Sequence, residues 1–267
     1  MKGLPEIIKA VPLDPQIKAH IAYYYFLKDS SANVNWQFWH YPHYYSTLLL
    51  CRKSKITNEG NTRYILADNN QSFSFIYNQN IKHAKREVLE GPYDIMGIVF
   101  RTLGFRYFFP QNLEDIDLQT LFLPIFKNPN ITDKVKLLDQ VFRTQYLGSS
   151  PRMIEKAVTQ ILATDGQIEL RQLTSYLGVS RRTLLRHFKS QLDCTLREFR
   201  SVVKFRHALK EGVSSFGSRK LTELAYDAGY YDQAAFIKSF KQKTNETPKQ
   251  IIPNIAQLEK ELLWKLV

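Results

Sequence analysis

The feature that most constrains this chain is a repeat in its last hundred residues. "LRQLTSYLGVSRRTLLRHFKSQLDC", from Leu170, and "LTELAYDAGYYDQAAFIKSFKQKTNE", from Leu221, share one grammar. Ser180 aligns with Asp232, Leu184 with Phe236, Arg186 with Lys238, Phe188 with Phe240, Lys189 with Lys241 and Asp193 with Asn245, all at an offset of 52. Leu173 with Leu224 and Gly178 with Gly229 align at 51, so the second turn is one residue longer. Each copy predicts a short helix that stops at a glycine able to take a positive φ. A Ser or Asp then accepts from the free N–H groups that open the next helix. Within each second helix the apolar pair is four residues apart and faces inward.

That arrangement decides what faces out. Copy one presents Arg181, Arg182, Leu185, Arg186 and Lys189; copy two presents Gln233, Ala234, Ile237, Lys238 and Lys241. Two helices joined by a tight turn, the second with a basic outer face, form a helix-turn-helix, whose second helix enters the major groove of DNA. A single such pattern also occurs in ordinary helical bundles; two in register are far more specific. The charge agrees. Of a net +12, residues 152–267 carry +8, from 20 Lys and Arg against 12 Asp and Glu. A basic excess of this kind suits a polyanion, although a solvated basic surface has the same composition.

The N-terminal half has a different grain. "HIAYYYFLKD", "YYSTLLLCRKS", "TRYILAD", "SFSFIYN" and "YDIMGIVFRTLGF" are rich in aromatic and β-branched residues and are separated by turn sequences at 58–61 and 68–70. They predict an antiparallel sandwich or barrel. From about Leu118 the period becomes helical. "TDKVKLLDQVFRTQYL" gathers Val135, Leu138, Val141, Phe142 and Tyr146 near one face, which makes the helix at 133–147 a candidate dimer element. Gly148-Ser149-Ser150-Pro151 divides the chain into 1–150 and 151–267.

With these residues in hand, the C-terminal part resembles the AraC-type (AraC/XylS) family of bacterial transcription regulators. Glu223-Leu224-Ala225, Gly229-Tyr230, Asp232-Gln233, Phe236, Phe240-Lys241 and Thr247-Pro248 match its signature, and "SRRTLLRHFK" resembles its first unit. "LREFRSVVKFRHALKEG" falls where the family's linker helix lies. The chain departs from the pattern where Asp193 and Asn245 replace glycine, Thr174 replaces alanine, Ala235 replaces a polar or aromatic residue, and Lys204 replaces arginine. Asp and Asn tolerate the left-handed conformation next best to glycine.

The resemblance implies an α+β chain: an N-terminal cupin-like barrel or sandwich for effector binding or dimerisation, and a C-terminal all-α domain with two helix-turn-helix units on one linker helix. Their core would be Leu173, Gly178, Leu184, Phe188, Leu224, Ala225, Gly229, Phe236, Phe240 and Pro248. Base reading would fall to Arg182, Leu185, Arg186, Gln233, Ala234, Ile237 and Lys238. Arginine suits guanine and glutamine suits adenine, through paired hydrogen bonds. Arg181, Lys189, Lys204, Lys241 and Lys243 would meet phosphates, which position the protein without reading sequence. The implied partners are double-stranded DNA, RNA polymerase, a small effector and a second copy of the chain. The implied role is an activator in the bacterial cytoplasm.

Other chemistry finds little footing. His40 and His43 in "HYPH", with His83, lack the following carboxylate of a cupin metal site, so no cofactor is expected. Cys51 reads as core, and Cys194 as a turn residue with a redox role as the alternative. "YYYF" at 23–26 reads as a buried strand. No phosphate loop, nucleophile elbow or acid pair stands out, so the chain is not expected to be an enzyme. No run is long and apolar enough for a membrane helix, and the first residues lack a signal-peptide core. Two readings compete with a specific regulator: an architectural DNA binder, and a cupin-type enzyme with a DNA-binding tail.

Overall fold

The computed structural model describes residues 6–79, 82–109, 113, 115–148, 152–257 and 263–266. The chain forms two compact units. One comprises Met1–Gln37, Tyr45–Asn78 and Arg86–Ser150; the other comprises Phe38–Tyr44, Gln79–Lys85 and Pro151–Val267. The expected break at 149–151 lies outside the described residues. The second unit is thus built from three stretches of sequence, two of them from the N-terminal half.

The first unit runs β1 (Ile7–Ala10), α1 (Pro15–Lys18), β2 (Ile21–Asp29), β3 (Asn35–His40), β4 (Ser46–Arg52), β5 (Ser54–Glu59), β6 (Thr62–Ala67), β7 (Phe73–Asn78), β8 (Lys85–Glu90) and β9 (Tyr93–Phe100). A 3-10 turn (Gly104–Tyr107), α2 (Leu118–Phe126) and α3 (Ile131–Thr144) follow. The last residues of β3 and the first of β8 belong to the second unit. One sheet has the order β1-β2-β9-β4-β7 and is antiparallel throughout. In the other, β5 and β6 form a hairpin whose turn holds Gly60 at φ +56°. One expectation, a sandwich or a barrel, is narrowed here, and another, purely antiparallel pairing, is corrected. The sheets stay open and close no barrel. The second sheet is also mixed, because β6 and β8 run parallel from Thr62/Arg86 to Leu66/Glu90. The intervening β7 crosses to the first sheet, which frees β8 to return in the direction of β6.

The sequence of β2, IAYYYFL, shows no alternation because both its faces are buried. Tyr24 and Phe26 point with Leu48, Leu50, Met96 and Ile98 into a core closed by Phe122 of α2 and Leu138 and Phe142 of α3. On the opposite face, Tyr25 and Cys51 lie within electrostatic reach of Arg63 and Glu87, a buried ion pair at 3.3 Å. Burial holds the Cys51 thiol well above its ordinary range. The apolar face of α3 is thus spent on its own sheet: Val135, Leu138 and Phe142 are buried, and Val141 and Tyr146 pack against them. This removes the argument for α3 as a dimer element. The same helix supplies Asp139, whose carboxylate accepts from Tyr24 Oη at 2.8 Å and from the Leu13 and Asp14 amides at 2.7 and 2.8 Å.

The second unit is helical: α4 (Arg152–Ala163), α5 (Leu170–Leu177), α6 (Arg181–Leu192), α7 (Leu196–Ser214), α8 (Leu221–Asp227), α9 (Gln233–Thr244) and α10 (Pro248–Asn254). A short β10 (Ala256–Gln257) pairs with β11 (Leu263–Leu266), and β11 pairs with Phe38–His40 at the end of β3. The core around α7 joins Phe205, Ala208 and Leu209 to Phe236 and Phe240 of α9 and Ile251 of α10. Tyr41 and Ala84, from the two N-terminal stretches, are buried in the same cluster.

Gly97 shows how tightly the first sheet is built. It pairs with Tyr25 on one side and Leu49 on the other, and a Cβ there would come within 2.0 Å of the Tyr25 ring. Tyr25 is 4% exposed, so its ring is enclosed by neighbouring side chains. Gly97→Ala is therefore expected to destabilise the protein by about 1–3 kcal/mol, the range for overpacked cores, read as a lower midpoint in urea unfolding.

Candidate nucleic-acid interface

Each helix-turn-helix starts from local chemistry already visible in its residues. α5 ends at Gly178, which takes φ +64° as C-cap, and α8 is followed by Gly229 at φ +70°. Ser180 Oγ accepts from the Thr183 amide at 3.1 Å, and Asp232 Oδ1 accepts from the Ala235 amide at 2.7 Å. α6 and α9 therefore begin at the equivalent points of the two copies, and each is 12 residues long. They end alike as well, on Asp193 and Asn245 in the left-handed conformation at φ +50° and +62°. The departure from glycine at both positions leaves the two turns intact.

Beneath the turns, Leu173, Leu184, Phe188, Leu224, Ala225, Phe236 and Phe240 are all buried, and Pro248 is buried at the first turn of α10. Phe236 and Phe240 stack edge-on at 4.7 Å, and Phe188 meets Phe199 of α7 at 5.4 Å. Gly178 is exposed and serves the turn alone: nothing lies within 4 Å of the Cβ it lacks.

The residues expected to read bases fall on the outer sides of α6 and α9. Arg182 and Arg186 are exposed and Leu185 is half-buried; Ala234 and Lys238 are exposed, with Gln233 and Ile237 half-buried. Gln233 already accepts a hydrogen bond from Thr222 Oγ1 at 2.8 Å, which holds its side chain against α8. Of the residues expected at phosphates, Arg181, Lys189 and Lys241 are exposed. Lys189 also lies 3.6 Å from Asp193 in an open i,i+4 pair, an interaction worth little in water.

Lys204 and Lys243 depart from expectation. Lys204 Nζ donates to the Gly229 carbonyl at 3.0 Å, tying α7 to the second turn. Lys243 Nζ donates to Ser201 Oγ at 2.7 Å and Ser239 Oγ at 3.2 Å, tying α9 to α7. Burial holds both amines below the ordinary lysine range. Both act as internal struts, and sequence alone does not separate a strut from a phosphate contact when each is a lysine on a polar helix face. Arg200 does similar work one turn earlier, donating to the carbonyls of Gly166 and Gln167 at 3.1 and 3.3 Å.

Two features escaped the sequence reading. Tyr231 stands in the second turn with 90% of its surface exposed, directly before the α9 cap. A ring that open beside a basic helix is the signal that marks it. The second feature is the stretch 82–84 at the carboxyl ends of α6 and α9. Lys82 Nζ reaches the Asp193 carbonyl at 3.5 Å and Glu198 Oε1 at 3.3 Å; the Ala84 amide donates to the Lys243 carbonyl at 2.7 Å; His83 Nδ1 meets the Gln242 carbonyl at 3.0 Å. Carbonyls that a helix end leaves unpaired thus receive donors from distant sequence. Cys194, beside this stretch, is buried with its thiol pushed up to about 12, which leaves little thiolate to oxidise. Among the described residues no group of three or more His, Cys, Asp or Glu is placed to hold a metal, and no helix is long and apolar enough to cross a membrane.

Residues 173–252 match the helix-turn-helix domain family model. Uncharacterized HTH-type transcriptional regulators of Staphylococcus aureus are 28% identical over 83 residues, 31% of this chain and 11% of theirs. The chain thus spans about a tenth of the length of these curated relatives. Among solved structures, a probable AraC family transcriptional regulator from Rhodopseudomonas palustris is similar over 39% of this chain and 96% of its own, at 18% identity and a TM-score of 0.36. ToxT from Vibrio cholerae is similar over 92% and 95%, at 12% identity and a TM-score of 0.40. The fold and the match define a class: residues 173–252 are a helix-turn-helix domain. More particularly, that domain holds two helix-turn-helix units, α5–α6 and α8–α9, on one connecting helix, α7.

The capping geometry makes a quantitative expectation. Asp232→Ala removes the side-chain acceptor at the start of α9 and should cost about 1 kcal/mol, with Asp232→Asn restoring most of it. Thermal unfolding of the three proteins measures the difference.

Proposed function

We propose that this protein is a sequence-specific DNA-binding transcription regulator that reads two adjacent major-groove segments with α6 and α9. The observation that carries the reading is the pairing of two equally long helices, capped alike at both ends, each with a polar or basic outer face and each anchored to α7. Arg182, Arg186, Gln233 and Lys238 are its base-reading polar residues. Leu185, Ala234 and Ile237 make apolar contacts, for which thymine methyls are the natural target. Arg181, Lys189 and Lys241 meet phosphates, and Tyr231 is added as a backbone contact. Lys204 and Lys243 leave that set because their amines are committed inside the unit.

In this reading the operator is asymmetric within one chain, since two different helices read it, and its halves lie roughly one helical turn, about 34 Å, apart. Residues 151–267 supply DNA recognition, and residues 1–150 supply effector binding and self-association. The protein acts in the cytoplasm as an activator that contacts RNA polymerase; this part of the proposal rests on the family resemblance alone.

Binding of the purified chain to DNA across a salt series tests the proposal, with sites selected from random sequence as the specific probe. Specific DNA is expected to bind at least about a thousandfold more tightly than scrambled DNA. Arg186→Ala should lower that preference by about 1–3 kcal/mol while leaving scrambled DNA bound almost as before. Lys241→Ala should weaken both equally and reduce the salt slope by about one. Equal affinity for selected and scrambled DNA would instead identify an architectural binder.

A further inference from the structure

The first unit contains a lysine that its own fold does not explain. Lys134, in the first turns of α3, is 8% exposed, and no carboxylate among the described residues lies within ion-pair distance of its ammonium group. Its Nζ sits 5.2 Å from the centre of the Phe26 ring. A buried ammonium without a counter-charge is costly, and a single aromatic face offsets only part of that cost. Burial depresses the Lys134 pKa; Lys28 and Arg52 depress it further, and Asp94 opposes them.

Lys134 lines a cavity of about 560 Å³ between the ends of β1, β2, β4 and β9 and the connection from α2 to α3. The volume suits a small organic ligand. Four cationic side chains, Lys28, Arg52, Lys127 and Lys134, line it against two acidic ones, Glu6 and Asp94. Asp94 is already bound to Arg52, at 2.6 and 2.9 Å. The uncompensated charge is therefore about two, held by Lys28, Lys127 and Lys134. The amino-terminal end of α3 also borders the cavity through Pro129 and Ile131, and the positive end of the helix dipole favours an anion there. Phe26, Ile8 and Phe126 supply an apolar wall.

We propose that this cavity binds a small organic dianion, a phosphate monoester or a dicarboxylate with an apolar body, and that Lys134 is its buried counter-charge. The inference gives a place and a chemical class to the effector in the proposed function, and it is tested without DNA. Its failure would leave the DNA reading untouched, and failure of the DNA reading would leave the site intact.

Calorimetric titration of the full chain at pH 7.5 and low salt, with three probes of similar shape, decides the matter. Phenyl phosphate carries nearly two charges at that pH; phenylsuccinate carries two carboxylates; phenyl sulfate carries one charge. Saturable binding of one phenyl phosphate or one phenylsuccinate per chain is expected, at least about tenfold tighter than phenyl sulfate, since a lost charge-assisted contact is worth 1.4 kcal/mol or more. The tighter of the two dianions names the headgroup. Lys134→Met should bind at least about tenfold more weakly. It should also match or exceed the wild-type melting temperature without ligand, because it removes a buried charge. Lys28→Gln, at an exposed position, should weaken binding several-fold without affecting folding. No saturable binding of either dianion, equal binding of phenyl sulfate, or unchanged affinity in Lys134→Met with Lys28→Gln would each overturn the proposal.

Discussion

The second unit depends on the burial of α7. Of its 19 residues, nine are buried, and they face more than one direction. Phe199 meets α6, Phe205 and Leu209 meet α9 and its neighbours, and Gly212 brings α10 so close that a Cβ would lie 2.5 Å from Ile252. The polar side of the helix is used as fully. Arg200 holds the turn after α4, Lys204 holds the turn after α8, and Ser201 receives Lys243. A helix anchored on several sides along its length holds its neighbours at fixed positions. The angle and separation of α6 and α9 follow from it, and so does any register they impose on a ligand.

Much of this was legible in the sequence, for a reason specific to repeats. Gly178 and Gly229, Ser180 and Asp232, and the pairs Leu184/Phe188 and Phe236/Phe240 are local signals, each constraining a few residues by backbone conformation or helical period. Seeing each signal twice at a constant offset turned weak rules into a firm one. The substitution of Asp193 and Asn245 for glycine was readable on the same terms, because left-handed tolerance is a property of the residue itself.

What stayed hidden depended on tertiary partners. The sequences of β1, β3, β5 and β8 carry no strong period, and their strands form because neighbours pair with them. The parallel alignment of β6 with β8 follows from the route of β7 and not from any residue in either strand. The apolar stripe of α3 was visible, but what would cover it was not; Phe142 and Leu138 turned out to close the strand core beneath them. Lys204 and Lys243 look like surface charge in sequence, and only the positions of the Gly229 carbonyl and the Ser201 hydroxyl make them struts.

Residues 38–44 and 79–85 end up inside the helical unit, with Tyr41 buried against its core and donating to Glu246 at 3.1 Å. The helical unit is therefore not a contiguous cassette. A hybrid made by joining residues 151–267 alone to a foreign partner would leave behind the stretch that caps α6 and α9. It would expose the apolar seat of Tyr41 to water. Portability, so often assumed of small DNA-binding modules, is here limited by two short pieces of chain encoded far upstream. An exchange that respects the fold has to carry them along.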